Sequence, residues 1–144
     1  MSLRSGFVKF SVPINRIATP ADAVSSFPIV VPRGTFVINA NLQFNCNAVP
    51  QGVLVSLQTT NNIVPPAPIN EVIMRNSADT AGACNTRPSG AGTNQSVCLQ
   101  GVYTFTADTN TIYLVVAGNL GAGETYAFTS SVALNTVTFV QIAP

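Results

Sequence analysis

The chain has 144 residues, 47% of them hydrophobic, only 8% charged, with a net charge of +1 and no histidine. A length of this order suits one domain, which normally buries about two-thirds of the surface its unfolded chain exposes. Charge at roughly a third of the usual 25% leaves Asn, Ser, Thr and Gln to supply the polar surface. Without histidine, a His-dependent catalytic triad or dyad is excluded, and a zinc site would be unusual.

The six cations, Arg4, Lys9, Arg16, Arg33, Arg75 and Arg87, stand singly along the chain. Nucleic-acid binding needs a concentrated positive field to displace counterions, so none is expected. Apolar runs fall short of the roughly 18–20 residues that a spanning helix requires, and no membrane insertion is expected. Met1-Ser-Leu-Arg-Ser-Gly6 lacks the layout of a secretion signal. For a chain that is complete, this implies synthesis in the cytoplasm.

In chain order, residues 1–6 read as a short arm, and Phe7–Val12 alternates as a strand closed by Pro13. Pro20–Ser26 has the composition of a helical turn, with Thr19 as its cap and Pro20 in the first position. Phe27-Pro-Ile-Val-Val-Pro32 is extended, and its prolines suit an edge or a connection.

Gly34–Cys46 carries the clearest pattern. Phe36, Ile38, Ala40, Leu42, Phe44 and Cys46 share one face, and Thr35, Val37, Asn39, Asn41, Gln43 and Asn45 the other. Period two over this length marks a half-buried strand. Each large apolar side chain buried from it contributes about 1.5–3 kcal/mol gross.

Val53–Gln58 and Asn70–Arg75 read as strands, separated by the stiff Val64-Pro-Pro-Ala-Pro68. Residues 76–96 hold almost no large apolar side chain and read as a long surface loop that contacts a neighbour or a ligand. Val97–Thr106 places Leu99, Tyr103 and Phe105 on one face. A turn at Asp108-Thr-Asn110 leads to the strand Ile112–Ala117. Gly118–Gly123 makes a second turn before Thr125–Thr129, and Val132–Ile142 closes the chain. About eight to nine short strands divided by Gly, Pro and Asn turns predict an all-β, single-domain sandwich over 1–144.

Candidate chemistry is sparse. The carboxylates Asp22, Glu71, Asp79, Asp108 and Glu124 are widely spaced, without the pairing a glycosidase needs. Gly118–Gly123 lacks the Lys-Ser/Thr ending of a phosphate-cradling loop, and no short loop has the carboxylates that calcium requires. No catalytic residue, metal or cofactor is expected. Of the three cysteines, Cys46 falls on the apolar side of its strand as a small hydrophobe. Three cysteines are too few for a disulfide scaffold; Cys84 and Cys98 bracket a Gly/Ser/Asn-rich stretch and could close it as a loop under oxidising conditions. Tyr103, Tyr113 and Tyr126 either cap strand ends at the core boundary or serve a sugar or partner site.

Three stretches carry a family likeness. Val31-Pro-Arg-Gly-Thr-Phe-Val-Ile-Asn-Ala40 resembles the "P-G-x-Y/F" strand of the trimeric jelly rolls of the tumour-necrosis-factor and complement-C1q type. Thr111-Ile-Tyr-Leu-Val-Val-Ala-Gly-Asn119 resembles their "v-x-L-x-x-G-D" strand, with Asn119 in place of the acid. Asn135–Ala143 resembles their closing strand, although it lacks the glycine of the C1q pattern "s-x-F-s-G-f-l", Phe139 being followed by Val140.

The resemblance implies a jelly roll that forms a homotrimer. Small jelly rolls rich in Asn, Thr, Val and Ala also resemble capsid and minor capsid proteins of large icosahedral DNA viruses. The expected function is therefore a structural, non-enzymatic subunit of a virion, partnered by itself and by other capsid proteins. The alternative is a carbohydrate- or receptor-binding module such as a fibre tip or a lectin-like C1q-type domain.

Overall fold

A computed structural model of the chain describes residues 8–14, 19–20, 24–46, 52–61, 69–75, 94–119, 125–128 and 135–144. Every pairing among them is antiparallel: β1 (Lys9–Pro13), β2 (Thr19–Pro20), β3 (Val24–Cys46), β4 (Gly52–Gln58), β5 (Val72–Arg75), β6 (Asn94–Asn119), β7 (Thr125–Phe128) and β8 (Thr136–Ala143). A short 3-10 turn, Ile69–Glu71, leads into β5, where the sequence suggested that the strand itself begins.

The main departure from the sequence reading lies in β3 and β6. Segments that read as separate strands run on as single strands of 23 and 26 residues, hydrogen-bonded to each other nearly end to end. The expected turn at Asp108–Asn110 is a bulge inside β6. Pro32 pairs with Thr109 and Gly34 with Phe105, so the single Arg33 faces the three residues 106–108. An asymmetry of this kind bends and twists a ladder without ending it. Asn110 holds the bulge, its Nδ2 donating to the carbonyls of Ala107 at 2.8 Å and Val31 at 3.3 Å.

The bend divides the ribbon into two half-sheets. The first has the order β1-β8-β3-β6 and uses the later part of β3 and the earlier part of β6. The second continues β3-β6-β4-β5 from the other halves of those strands. Beyond the end of β8, β7 pairs with β3 at residues 44–46, and β2 pairs with β7. The half-sheets face each other: a Cβ added at Gly101, on the first, would lie 3.0 Å from Met74 Cε, on the second. The architecture is an all-β jelly-roll sandwich.

Both half-sheets feed one core. Phe36, Ile38, Ala40, Leu42, Val97, Leu99, Phe105, Val137 and Phe139 come from the first, and Ile29, Val31, Val55, Leu57, Ile112, Leu114 and Val116 from the second. Phe36, Ile38 and Ala40 are fully buried and Leu42 is 2% exposed, as the period-two pattern of β3 required. The side chains of Phe44 and Cys46 lie outside the described residues.

An aromatic belt crosses the first half-sheet. Phe10 stacks on Phe139 at 4.8 Å, both meet the edge of Phe36, and Phe36 meets Phe105 at 5.9 Å. Such pairs add about 0.5–1.5 kcal/mol each beyond the area they bury.

Two further expectations are settled by pairing. Thr19–Pro20 and Val24–Ser26 are extended, paired with Thr125–Tyr126 and Val115–Ala117, and so do not belong to a helical turn; residues 21–23 lie outside the described residues. One apolar side chain, Val24, in an otherwise small and polar run gives a helix little to bury, whereas cross-strand pairing satisfies the backbone directly. The prolines of the 27–32 segment do lie on an edge: among the described residues this part of β3 pairs only with β6.

Gly34 sits at the bend with φ +137°, in the left-handed half of the backbone map. A Cβ there would also overlap the Gln141 amide and lie 2.9 Å from the Ala143 carbonyl oxygen. Gln141, 8% exposed, ties three strands at this point. Its Oε1 accepts from Val8 N at 3.1 Å, and its Nε2 donates to the carbonyls of Ala143 at 3.2 Å and Arg33 at 3.4 Å.

Gly34→Ala is expected to cost about 2 kcal/mol or more, from the backbone angle and the overlap together. Gln141→Leu should cost about 1–3 kcal/mol by stranding buried backbone groups. Urea unfolding monitored by tyrosine fluorescence measures both.

Candidate assembly surface

The register of the first half-sheet sets out its outer face in rows of four. Lys9, Val140, Val37 and Val102 lie side by side; next come Ser11, Thr138, Asn39 and Gln100; then Pro13, Thr136, Asn41 and Cys98. Neighbours in such rows stand about 4.8 Å apart across the strands. Of these twelve positions only Lys9 is charged. Val102 is 61% exposed and Ile142, further along β8, is 47% exposed. Hydroxyl pairs tie the face together, Ser11 to Thr138 and Thr35 to Thr104, each at 2.9 Å. These hydroxyls satisfy one another across strands and hold the polar surface in a fixed arrangement.

The outer face of the second half-sheet is different. Ser26, Val115, Ser56 and Arg75 form one row there, and Pro28, Tyr113 and Gln58 another. Val115, Ser56 and Gln58 are only 3%, 3% and 2% exposed although they point away from the core cluster. Ser56 donates to Gln58 Oε1 at 2.6 Å, and Gln58 Nε2 donates to the Thr60 carbonyl at 3.2 Å. Buried polar groups satisfied in this way are a closed part of the structure. Only the β3 edge of this half-sheet is open, with Pro28 exposed and Val30 61% exposed. The first half-sheet therefore presents the broader accessible neutral face, open across all four of its strands.

Other residues singled out in the sequence are not brought together. Cys98 is an exposed free thiol on the neutral face, and Cys84 lies outside the described residues. Of the expected loop 76–96, residues 94–96 belong to β6, paired with Asn45, Phe44 and Gln43, and 76–93 lie outside the described residues. Gly118 and Asn119 likewise end β6 opposite Val53 and Gly52, while 120–123 lie outside. The arm 1–6 is outside as well.

Tyr103 packs on Phe105 with ring centroids 4.9 Å apart, whereas Tyr113 stands on the outer face of the second half-sheet. For Tyr126 only the backbone is described, paired with Thr19 and Cys46. Among the described carboxylates, Glu71 accepts from the Thr60 hydroxyl at 2.6 Å, and Asp108 lies at the β6 bulge. No three His, Cys, Asp or Glu side chains gather among the described residues, and no helix there is long and apolar enough to cross a membrane.

Sequence reasoning missed a cleft of about 170 Å³ at the bend, lined by Thr59, Tyr103, Thr104, Phe105, Thr106, Asn110, Thr111 and Ile112. The one signal for it was the run of Thr and Asn at 104–111, of which 104–106 read as the end of a strand and Asp108–Asn110 as a turn.

No protein-family model matches the chain, and no curated protein matches it in sequence. Solved structures do. The Eiger tumour necrosis factor of S. frugiperda superposes with a TM-score of 0.56 at 9% identity, over 95% of this chain and 93% of that one. A chain of the infectious bursal disease virus Gt strain superposes with a TM-score of 0.53 at 11% identity, over 94% of this chain. This protein spans only 36% of that viral chain. What the two share with this chain is the jelly-roll fold.

The same substitution should have unequal consequences on the two outer faces. Gln100→Glu, on the open face, is expected to change stability by less than about 0.5 kcal/mol. Gln58→Glu, which places a carboxylate in a buried site, should cost about 2–4 kcal/mol. Thermal unfolding of the two variants at neutral pH compares them.

Proposed function

We propose that the chain is a structural subunit of a virus particle, a capsid or minor capsid protein that acts by association rather than catalysis. The observation that carries this reading is the outer face of the first half-sheet, twelve register-aligned positions with a single charge. Soluble proteins usually disperse themselves with mixed surface charge. A rigid face of Thr, Asn, Gln and Val costs less to desolvate against a similar face than a charged one would, because only Lys9, at its edge, is an ion that would have to be stripped of water. The absence of fixed charge also removes steering toward acidic or basic partners, which favours a second copy of the chain or an equally neutral coat protein.

The shared fold with a chain of infectious bursal disease virus supports a particle setting, and the Eiger fold supports a jelly roll that stands as a module of its own. The proposed partners are other copies, as a homotrimer, and neighbouring coat proteins. Each contact would bury about 800 Å² per subunit. The scattered cations leave the nucleic acid of a particle to other proteins.

Light scattering and sedimentation of the purified chain test this reading. Oligomers at micromolar concentration are expected, and a strict monomer across that range overturns it. Val102→Glu combined with Gln100→Glu should raise the assembly midpoint by about tenfold or more, because like charges would meet across the contact. Under reducing conditions Cys98 should react quickly with a thiol reagent in the dissociated subunit and several-fold more slowly after assembly. Equal rates in the two states would remove this face from the interface.

A further inference from the structure

We propose that the cleft at the bend is a binding site for one neutral, hydroxyl-rich molecule of monosaccharide size. This inference goes beyond assembly and does not depend on it, because the cleft shares only Thr104 with the neutral face and none of the twelve positions that carry the assembly reading. The cleft has an apolar floor, Phe105 at 3% and Ile112 at 1% exposure, and an aromatic wall in the half-buried Tyr103. Its rim is polar: Thr59, Thr104, Thr106 and Thr111 are exposed and Asn110 is half-buried. No lining residue carries a charge. A charged ligand would leave its water without an ion to replace it, so the lining selects against one. A volume of about 170 Å³ accommodates a single sugar ring.

The site is held in shape before any ligand arrives. Asn110 spends its amide hydrogens on the carbonyls of Val31 and Ala107, which fixes the bulge and leaves its side-chain oxygen as an acceptor. The Thr59 hydroxyl donates to the Glu71 carbonyl at 3.3 Å, so it too is left to accept. Two acceptors, the rotatable hydroxyls of Thr106 and Thr111, and an aromatic ring face match a molecule with C–H bonds on one side and hydroxyl donors on its edge. A sugar ring has that distribution, with the ring face of Tyr103 against its C–H groups. Ordering of the lining is already provided by the fold, which lowers the entropic cost of binding.

The test is an amide-resolved NMR titration of the wild-type chain with D-glucose, D-galactose, D-mannose and N-acetyl-D-glucosamine, with D-glucuronate as the charged comparator. At least one neutral sugar should produce saturable, millimolar shifts confined to Thr59 and residues 104–112. Glucuronate should bind about tenfold more weakly or not at all. The double variant Thr106→Val and Thr111→Val keeps side-chain shape at exposed positions and should weaken the sugar by about tenfold. Absence of saturable shifts at these residues with every neutral sugar overturns the proposal in the wild-type protein alone, whatever the variant does. Equal binding of glucuronate, or unchanged affinity in a folded double variant, overturns it as well.

Discussion

The pairing of β3 with β6 organises the rest of the molecule. Two long strands stay hydrogen-bonded to each other across a bend, so each serves both half-sheets, and the sandwich has no separate hinge between its layers. The bend is possible because one residue, Gly34, accepts φ +137° while its partner strand spends three residues against a single one. Gln141 fastens the end of β8 to the same point through its amide, and Asn110 fastens β6 through its own. Any side chain at Gly34 would strike that fastening. The corner is therefore a small polar knot around a glycine, with the aromatic belt of Phe10, Phe139, Phe36 and Phe105 packed beside it.

From this corner the two outer faces acquire different fates. The first half-sheet leaves its Thr, Asn, Gln and Val rows in the open, with only Lys9 charged. The second closes over Ser56, Gln58 and Val115 and satisfies the polar pair internally. Both faces have similar composition, so composition does not distinguish a surface for assembly from a buried layer. Burial does. The functional proposal rests on the face that stays accessible, and the cleft arises where the strands bend between the two.

Much of the fold was legible because period two is a local property. In β3 the alternation of Phe36, Ile38, Ala40 and Leu42 with Thr35, Val37, Asn39 and Asn41 needs only the pleat of one strand, and the burial follows it residue by residue. The edge position of Pro28 and Pro32 could be read for the same reason, since proline lacks the donor an inner strand needs. The turn at Asp108–Asn110 was not legible as a bulge. Asp, Thr and Asn favour a turn locally, and only the unbroken pairing with β3 on both sides converts it into a bend within one strand. The helical turn at 20–26 failed likewise, because the cross-strand partners Val115–Ala117 and Thr125–Tyr126 are distant in sequence.

The chain by itself determined an all-β protein with a neutral polar exterior, because alternation, turn residues and the absence of histidine are properties of residue order and type. The tertiary structure decided that β3 and β6 are continuous, which outer face remains open, where Cys98 and Tyr103 stand, and that a cleft forms at the corner. Each of these depends on partners distant in sequence, such as Val37 with Val102, Gly34 with Gln141 and Asn110 with Val31. Contacts across such distances are chosen by the closure of the whole sheet, and no local pattern encodes them.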